Sequence, residues 1–363
     1  MMSQHWPAWL PLRKDLSELS PYGAPQLELP VRLNTNENPY SLDERMQKHL
    51  LTKISEHLPN LNRYPDRDAR QLREALARFI NEQSGTRFEE KNIWPANGSN
   101  EVLQSLVVAC EGSAIGSEPS YSMHPLICKI IGRSWINIDR RSDFTIDVSS
   151  ILRSIEKNLP AMVFLATPNN PTGSSTSLAE IESLAVAALR VKALVIIDEA
   201  YAEFASTPSA VTLIEKHPNI VVVRTMSKAF AFAGARVGYL VARPEVIEAM
   251  MLVRLPYHLS ALTQAAALAA LDLSDDLLAN VSRIIESRNQ LASQMRELGL
   301  NVVTSDSNFL LFSGFTREPR DLWSGLVKRG VLIRDVGVNG HLRVTIGTPA
   351  ENETFLMALK TLL

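Results

Sequence analysis

The chain has 363 residues, enough to bury a large core, and the length suits one large domain with a smaller one. Its 37 basic residues nearly cancel its 39 acidic ones, so there is no electrostatic case for nucleic acid or an anionic membrane as a partner. The two cysteines, Cys110 and Cys128, lie in or beside apolar stretches and read as buried thiols of a reducing cytosol rather than as a disulfide.

Met1 to Pro11 is interrupted by His5, Pro7 and Pro11 and lacks the apolar centre of a signal peptide. Residues 1 to about 40 read as an extended, proline-rich arm with turns at Ser20-Pro21-Tyr22-Gly23 and Leu33-Asn34-Thr35-Asn36-Glu37-Asn38-Pro39. Asn62-Arg63-Tyr64-Pro65-Asp66 separates two helical stretches; in the second, Leu72, Leu76, Phe79 and Ile80 share a face and Gly85 can end the helix. Asn97-Gly98-Ser99-Asn100-Glu101 precedes an apolar run from Val102. Its small polar residues suit a helix cap, and a helix start with free N–H groups can also hold an anion. Tyr121, in Pro119-Ser120-Tyr121-Ser122, reads by itself as a packing aromatic.

Three apolar runs follow that suit parallel strands covered on both faces. Met162 to Ala166 leads into Pro168-Asn169-Asn170-Pro171-Thr172-Gly173, Ala193 to Ile197 into Asp198-Glu199-Ala200-Tyr201, and Val221 to Val223 into Thr225, Ser227 and Lys228. A capping box, Ser177-Leu178-Ala179-Glu180, opens a helix between the first two, making a crossover unit. In such sheets ligands sit beyond the carboxyl ends of the strands, so Asn170, Asp198, Tyr201 and Lys228 are expected to converge on one crevice. Lysine is almost never buried without a partner, and one at the end of a core strand is either exposed or held for chemistry.

The stretch Leu255 to Leu271 lacks charge, but it holds Pro256, His258 and Gln264 and is too short and polar to span a bilayer. His258 reads as a polar core or surface histidine. From Ser274, Leu277, Leu278, Val281, Ile284 and Ile285 form one stripe of a long connecting helix. Short strands are expected at Asn308 to Phe312, Val331 to Ile333 and Leu342 to Ile346, with helices near Arg320 to Lys328 and Pro349 to Leu362. The last of these is opened by Thr348-Pro349-Ala350-Glu351. Arg334 and Arg343 stand beside these strands; each can pair with a surface carboxylate, and each can fork onto a carboxylate or phosphate ligand.

Taken together, Asn170-Pro171-Thr172-Gly173, Asp198-x-x-Tyr201, Ser227-Lys228-Ala229-Phe230 and Arg236 resemble the pyridoxal phosphate site of fold type I aminotransferases of the aspartate aminotransferase type. The phrases Ser20-Pro21-Tyr22-Gly23, Arg254-Leu255-Pro256-Tyr257-His258-Leu259-Ser260 and Ser305-Asp306-Ser307-Asn308-Phe309 resemble histidinol-phosphate aminotransferases in particular. The resemblance implies catalytic roles for Lys228, Asp198 and Tyr201. Lys228 would bond the cofactor aldehyde, Asp198 would face the pyridine nitrogen, and Asn170 and Tyr201 would reach the phenolate oxygen. Ser99, Asn100, Thr225, Ser227 and Arg236 would hold the phosphate, Tyr121 would stack on the ring, and Tyr64 would reach the phosphate of a neighbouring subunit. At the position of Asn100 many relatives carry an acidic residue. Tyr22, Tyr257, Arg334 and Arg343 would meet the substrate, with Asn36 a lesser candidate.

The expectation is therefore an α/β protein of fold type I: a large domain with a mostly parallel sheet sandwiched by helices, a smaller α/β domain and an amino-terminal arm. Boundaries are placed at 1–50 for the arm and part of the small domain, 51–270 for the cofactor domain and 271–363 for the small domain. The expected reaction is amino transfer between histidinol phosphate and 2-oxoglutarate, in the cytoplasm, by a homodimer that binds neither metal, nucleic acid nor membrane. An aromatic amino acid aminotransferase, a threonine-phosphate decarboxylase and a non-enzymatic aminotransferase-like sensor are the alternatives; the arm is too short for the sensor's DNA-binding module.

Overall fold

The structure is a computed structural model and describes residues 6, 7, 9–17, 19, 21 and 23–363. After a short strand β1 (Val31–Arg32) come β2 (Ile93–Ala96), β3 (Ala114–Glu118), β4 (Trp135–Asp139), β5 (Met162–Ala166), β6 (Leu194–Asp198), β7 (Ile220–Thr225) and β8 (Gly238–Val241). These last seven form one sheet in the order β2-β8-β7-β6-β5-β3-β4, parallel except at β8, which is antiparallel to both neighbours.

The apolar runs are unbroken because both faces are covered. On β5, Val163 and Leu165 pack into one core with Ile151, Ile181 and Leu184, while Met162 and Phe164 join a second core with Leu103, Leu106 and Ile127. Local signals place the helices. The helix Arg70–Ser84 buries Leu72, Leu76, Phe79 and Ile80 and stops at Gly85, which is left-handed at φ 64°. Ser177 and Glu180 close a reciprocal capping box on Leu178–Arg190, and Thr348 and Glu351 do the same on Pro349–Lys360.

The helix Ser274–Glu297 leads to β9 (Asn301–Val302), β10 (Phe309–Ser313), β11 (Val331–Leu332) and β12 (Leu342–Thr345). A three-stranded antiparallel sheet runs β12-β10-β9, and β1 pairs in parallel with β11, so the amino-terminal segment is built into the carboxyl-terminal part. Farther forward, the Arg13 guanidinium donates to the carbonyls of Ile130 and Lys129 at the end of the helix Met123–Ile131. Cys110 and Cys128 are free thiols. No helix among the described residues is long and apolar enough to cross a membrane.

Candidate active site

Asp198 ends β6, and Thr225 ends β7 beside it. Beyond Thr225 the chain loops through Lys228 and returns at Val237. The loop is closed by Met226 N–H to Val237 O at 3.0 Å and by Thr225 Oγ1 to Val237 O at 3.2 Å. Arg236, in left-handed conformation at φ 55°, turns back so that its Nη1 lies 3.4 Å from Ser227 Oγ. These strand ends border a cavity of about 360 Å³, lined by Ser99, Asn100, Tyr121, Asn170, Asp198, Tyr201, Thr225, Ser227, Lys228, Arg236, Arg334 and Arg343. These sequence-predicted residues share the lining with others, Ala24, Asn34, Thr35 and Val336 among them.

Lys228 is half-buried, and its Nζ donates to Thr35 O at 3.1 Å. Burial lowers its pKa to about 8, and the charges of Arg343 and Arg236 act in the same direction against those of Glu37 and Asp198. Asp198 is 4% exposed; Oδ2 lies 3.1 Å from His124 Nε2, and Oδ1 accepts from Ala200 N–H at 3.2 Å. Asn36 Nδ2 donates to the Tyr201 hydroxyl at 2.8 Å, and Tyr121 donates to Asn100 Oδ1 at 3.1 Å. The helix Ser99–Ala109 starts at Gly98, whose missing side chain leaves that helix end without a side-chain cap. A Cβ on Gly98 would lie 2.5 Å from Arg236 Nη2, so guanidinium and bare helix start meet closely.

Arg343, on β12, donates from Nη1 to Asn170 Oδ1 and from Nη2 to Asn34 O at 2.8 Å. Arg334 and Arg343 exchange backbone hydrogen bonds of 2.9 Å in an isolated antiparallel bridge, which sets the two guanidiniums on one wall. That pairing was not legible from their spacing.

Two predicted residues lie elsewhere. Tyr257 is not among the residues lining the cavity of its own chain. Its ring stacks on Tyr64 at 4.4 Å on the outer surface, where Tyr64 is 80% exposed. Arg254 donates to Arg67 O at 2.8 Å and pairs with Asp68, tying the two tyrosine loops together. Side-chain hydrogen bonds from Arg67, at 3.1 and 2.8 Å, and from Arg254 hold the Asp68 carboxyl well below the usual range. Tyr22 lies outside the described residues.

Sequence reasoning missed His124, which is 1% exposed and wedged between Tyr121 and Phe164. Its one signal was a spacing of three from Tyr121 at a helix start, which is too common to stand out. Glu37 and Asp335 also line the cavity and were not singled out. Asn36, the lesser candidate, lies in a segment pinned on several sides. Its N–H donates to Thr345 Oγ1 at 3.0 Å, and Asn308 Nδ2 donates to its carbonyl at 3.1 Å.

The fold and these side chains define a class, and comparison with known proteins agrees: the aminotransferase class I and II family model matches residues 30–359, and the chain belongs to that family. Within it, the chain is 53% identical to the histidinol-phosphate aminotransferase of Corynebacterium efficiens, covering 96% of this chain and 94% of that one. Against the histidinol-phosphate aminotransferase of Mycobacterium avium it is 50% identical, over 96% of this chain and 88% of the relative. Among solved structures, histidinol-phosphate aminotransferase from Sinorhizobium meliloti, in complex with pyridoxal-5'-phosphate, superposes with a TM-score of 0.81 at 25% identity. The match covers 92% of this chain and 91% of that one.

Proposed function

We propose that this chain transfers the amino group of histidinol phosphate to 2-oxoglutarate, leaving imidazole-acetol phosphate and glutamate, with pyridoxal 5'-phosphate as cofactor. The single observation that carries the reading is the meeting of Lys228, Asp198, Arg236 and Arg343 around one cavity. That cavity, at about 360 Å³, has the size of a small-molecule site. Its floor fits the cofactor: a helix start without a side-chain cap, beside Arg236 and Ser227, is an anion cradle in which a side chain at position 98 would intrude.

Arg236, Ser227, Thr225, Ser99 and Asn100 would hold the phosphate, Asp198 the pyridine nitrogen, and Tyr121 the ring face. Asn170, whose Oδ1 is taken by Arg343, has its amide NH₂ to offer the phenolate oxygen alongside Tyr201. When bound, pyridoxal phosphate supplies an electron-accepting ring that lets a carbon–hydrogen bond next to nitrogen break. Lys228, whose pKa burial lowers to about 8, is the group that takes this proton from the substrate carbon and returns it. Arg343 and Arg334 bind the anionic end of the substrate: the phosphate in one half reaction, a carboxylate of glutamate in the other.

We further read the chain as a cytoplasmic homodimer, with an arm at 1–50, a cofactor domain at 51–270 and a small domain at 271–363. The outward pair Tyr64 and Tyr257, near exposed Leu61, Leu252 and Leu255, supports a second copy on that face, with Tyr64 reaching the neighbouring phosphate and Tyr257 its substrate. Tyr22, on the arm, completes the substrate contacts in this reading.

The test is a half reaction with histidinol phosphate alone, followed by the visible absorbance of the bound cofactor. The native protein should convert its absorbance in one turnover, and Lys228→Ala should lose that conversion by a factor on the order of 10²–10⁴. Conversion by phenylalanine but not by histidinol phosphate would reverse the assignment.

A further inference from the structure

Directly behind the cavity, and outside its lining, lies a buried charge cluster that the reaction described above does not use. Arg224, on β7, donates from Nε to Glu199 Oε2 at 2.8 Å and from Nη1 to Glu203 Oε1 at 3.1 Å. All three side chains are at most 7% exposed. Ser209 Oγ donates to the same Oε2 of Glu199 and Ala210 N–H donates to its Oε1, both at 2.6 Å.

The placement of these groups along the chain gives the cluster its meaning. Glu199 follows Asp198 directly, and Glu203 closes the short segment Ala200-Tyr201-Ala202. Arg224 belongs to the strand that continues through Thr225 and Ser227 to Lys228. One guanidinium therefore grips both ends of the segment bearing Tyr201 and ties it to the strand that leads into the lysine loop. Buried ion pairs are weak devices for stability, since well-packed apolar residues serve as well. A planar fork with two fixed donor directions does supply orientation.

We propose that Arg224 is a positioning residue for amino transfer: through Glu199 and Glu203 it sets where Tyr201 and Asp198 stand relative to Lys228. The inference rests on the function proposed above and deepens it. With the cofactor bound, Tyr201 would donate to its phenolate oxygen and favour the deprotonated form of the chromophore, so weakening that bond would move its titration to higher pH.

The experiment is a pH titration of the visible absorbance of the holoenzyme in the native chain, Arg224→Lys, Tyr201→Phe and the double variant. A lysine keeps the charge but cannot fork, so Arg224→Lys should raise the midpoint by about one pH unit, the worth of one hydrogen bond to a charged group. Tyr201→Phe should shift it in the same direction, and the double variant should move it little further, because both changes remove the same bond. A folded Arg224→Lys protein with the native midpoint, or fully additive shifts, would overturn the clamp. If Arg224→Lys does not fold, Glu203→Ala carries the same expectation, since it keeps the Arg224–Glu199 pair and releases only the far end of the segment. Native protein that takes up no pyridoxal phosphate and shows no visible band would sink the cofactor reading and the clamp together; a native band that titrates while the variants leave it in place sinks the clamp alone.

Discussion

Lys228 shows how much one side chain reveals when its type conflicts with its surroundings. It stands at the end of a buried strand, where burial and two arginines lower its pKa to about 8 from an ordinary 10.5. Between those values the unfolded apoprotein binds more protons than the folded one, so stability rises with pH through that window; below about 8 the full cost of the buried charge remains. Lys228→Met, which removes the charge at similar volume, should therefore stabilise the apoprotein at pH 7 by on the order of 1–3 kcal/mol. Denaturant unfolding from pH 7 to 10 should show this gain shrinking as pH rises; a gap that stays constant would refute the assigned charge state. Asp198 was legible for the same reason as Lys228, whereas Arg236 was legible only through the resemblance of its motif. His124 was not, because a histidine in an apolar helix is common, and only the structure shows Asp198 3.1 Å away.

Among the elements, those with strong local signals formed where the sequence put them. The capping boxes at Ser177 and Thr348 and the stop at Gly85 are settled within one turn of helix. At β7 the local pattern was misleading: hydrophobicity ends at Val223, yet the strand includes Arg224 and Thr225, all of it buried. Arg224 can stay in the strand because two glutamates from a distant segment answer its charge. The junction of β8 with the helix Ser99–Ala109 depends on a glycine. A Cβ at Gly238 would lie 2.2 Å from Ser99 N and 2.4 Å from Gly98 C, both backbone atoms that cannot swing aside. Gly238→Ala should push that helix start away from Arg236, weakening cofactor binding about tenfold or more and costing about 1–3 kcal/mol of stability. Equilibrium dialysis with pyridoxal phosphate and denaturant unfolding check the two effects, and native affinity in the variant would exclude the proposed phosphate cradle.

For the whole molecule, the decisive issue is whether one copy suffices. Tyr64 faces out from its own chain, so the proposed cross-subunit role makes a sharp prediction for mixed assemblies. Tyr64→Ala and Lys228→Ala proteins should each be nearly inactive. After mixing and exchange, a hybrid pair holds one site with both residues intact, and activity should return to that fraction of the sites. If Tyr64 served its own chain, no hybrid site would be complete and mixing would restore nothing. A dilution series by light scattering, run in parallel, reports whether the copies associate at all.

The residue types that carry the chemistry, and the double-sided burial of the strands bearing them, are determined by the sequence alone, because both are written in short windows: a polar group ending an apolar run, or a cap beside a helix. Which of those residues meet was decided only by the tertiary structure. Asn36 and Tyr201 are 165 positions apart and Arg343 and Asn170 are 173 apart, and their contacts follow from strand order and from β1 joining β11. Tyr64 and Tyr257 carried similar sequence signals to the cavity residues, yet in the structure they stack on each other outside the cavity. Local patterns encode conformation over a few residues, whereas the pairing of distant segments depends on how the whole core packs.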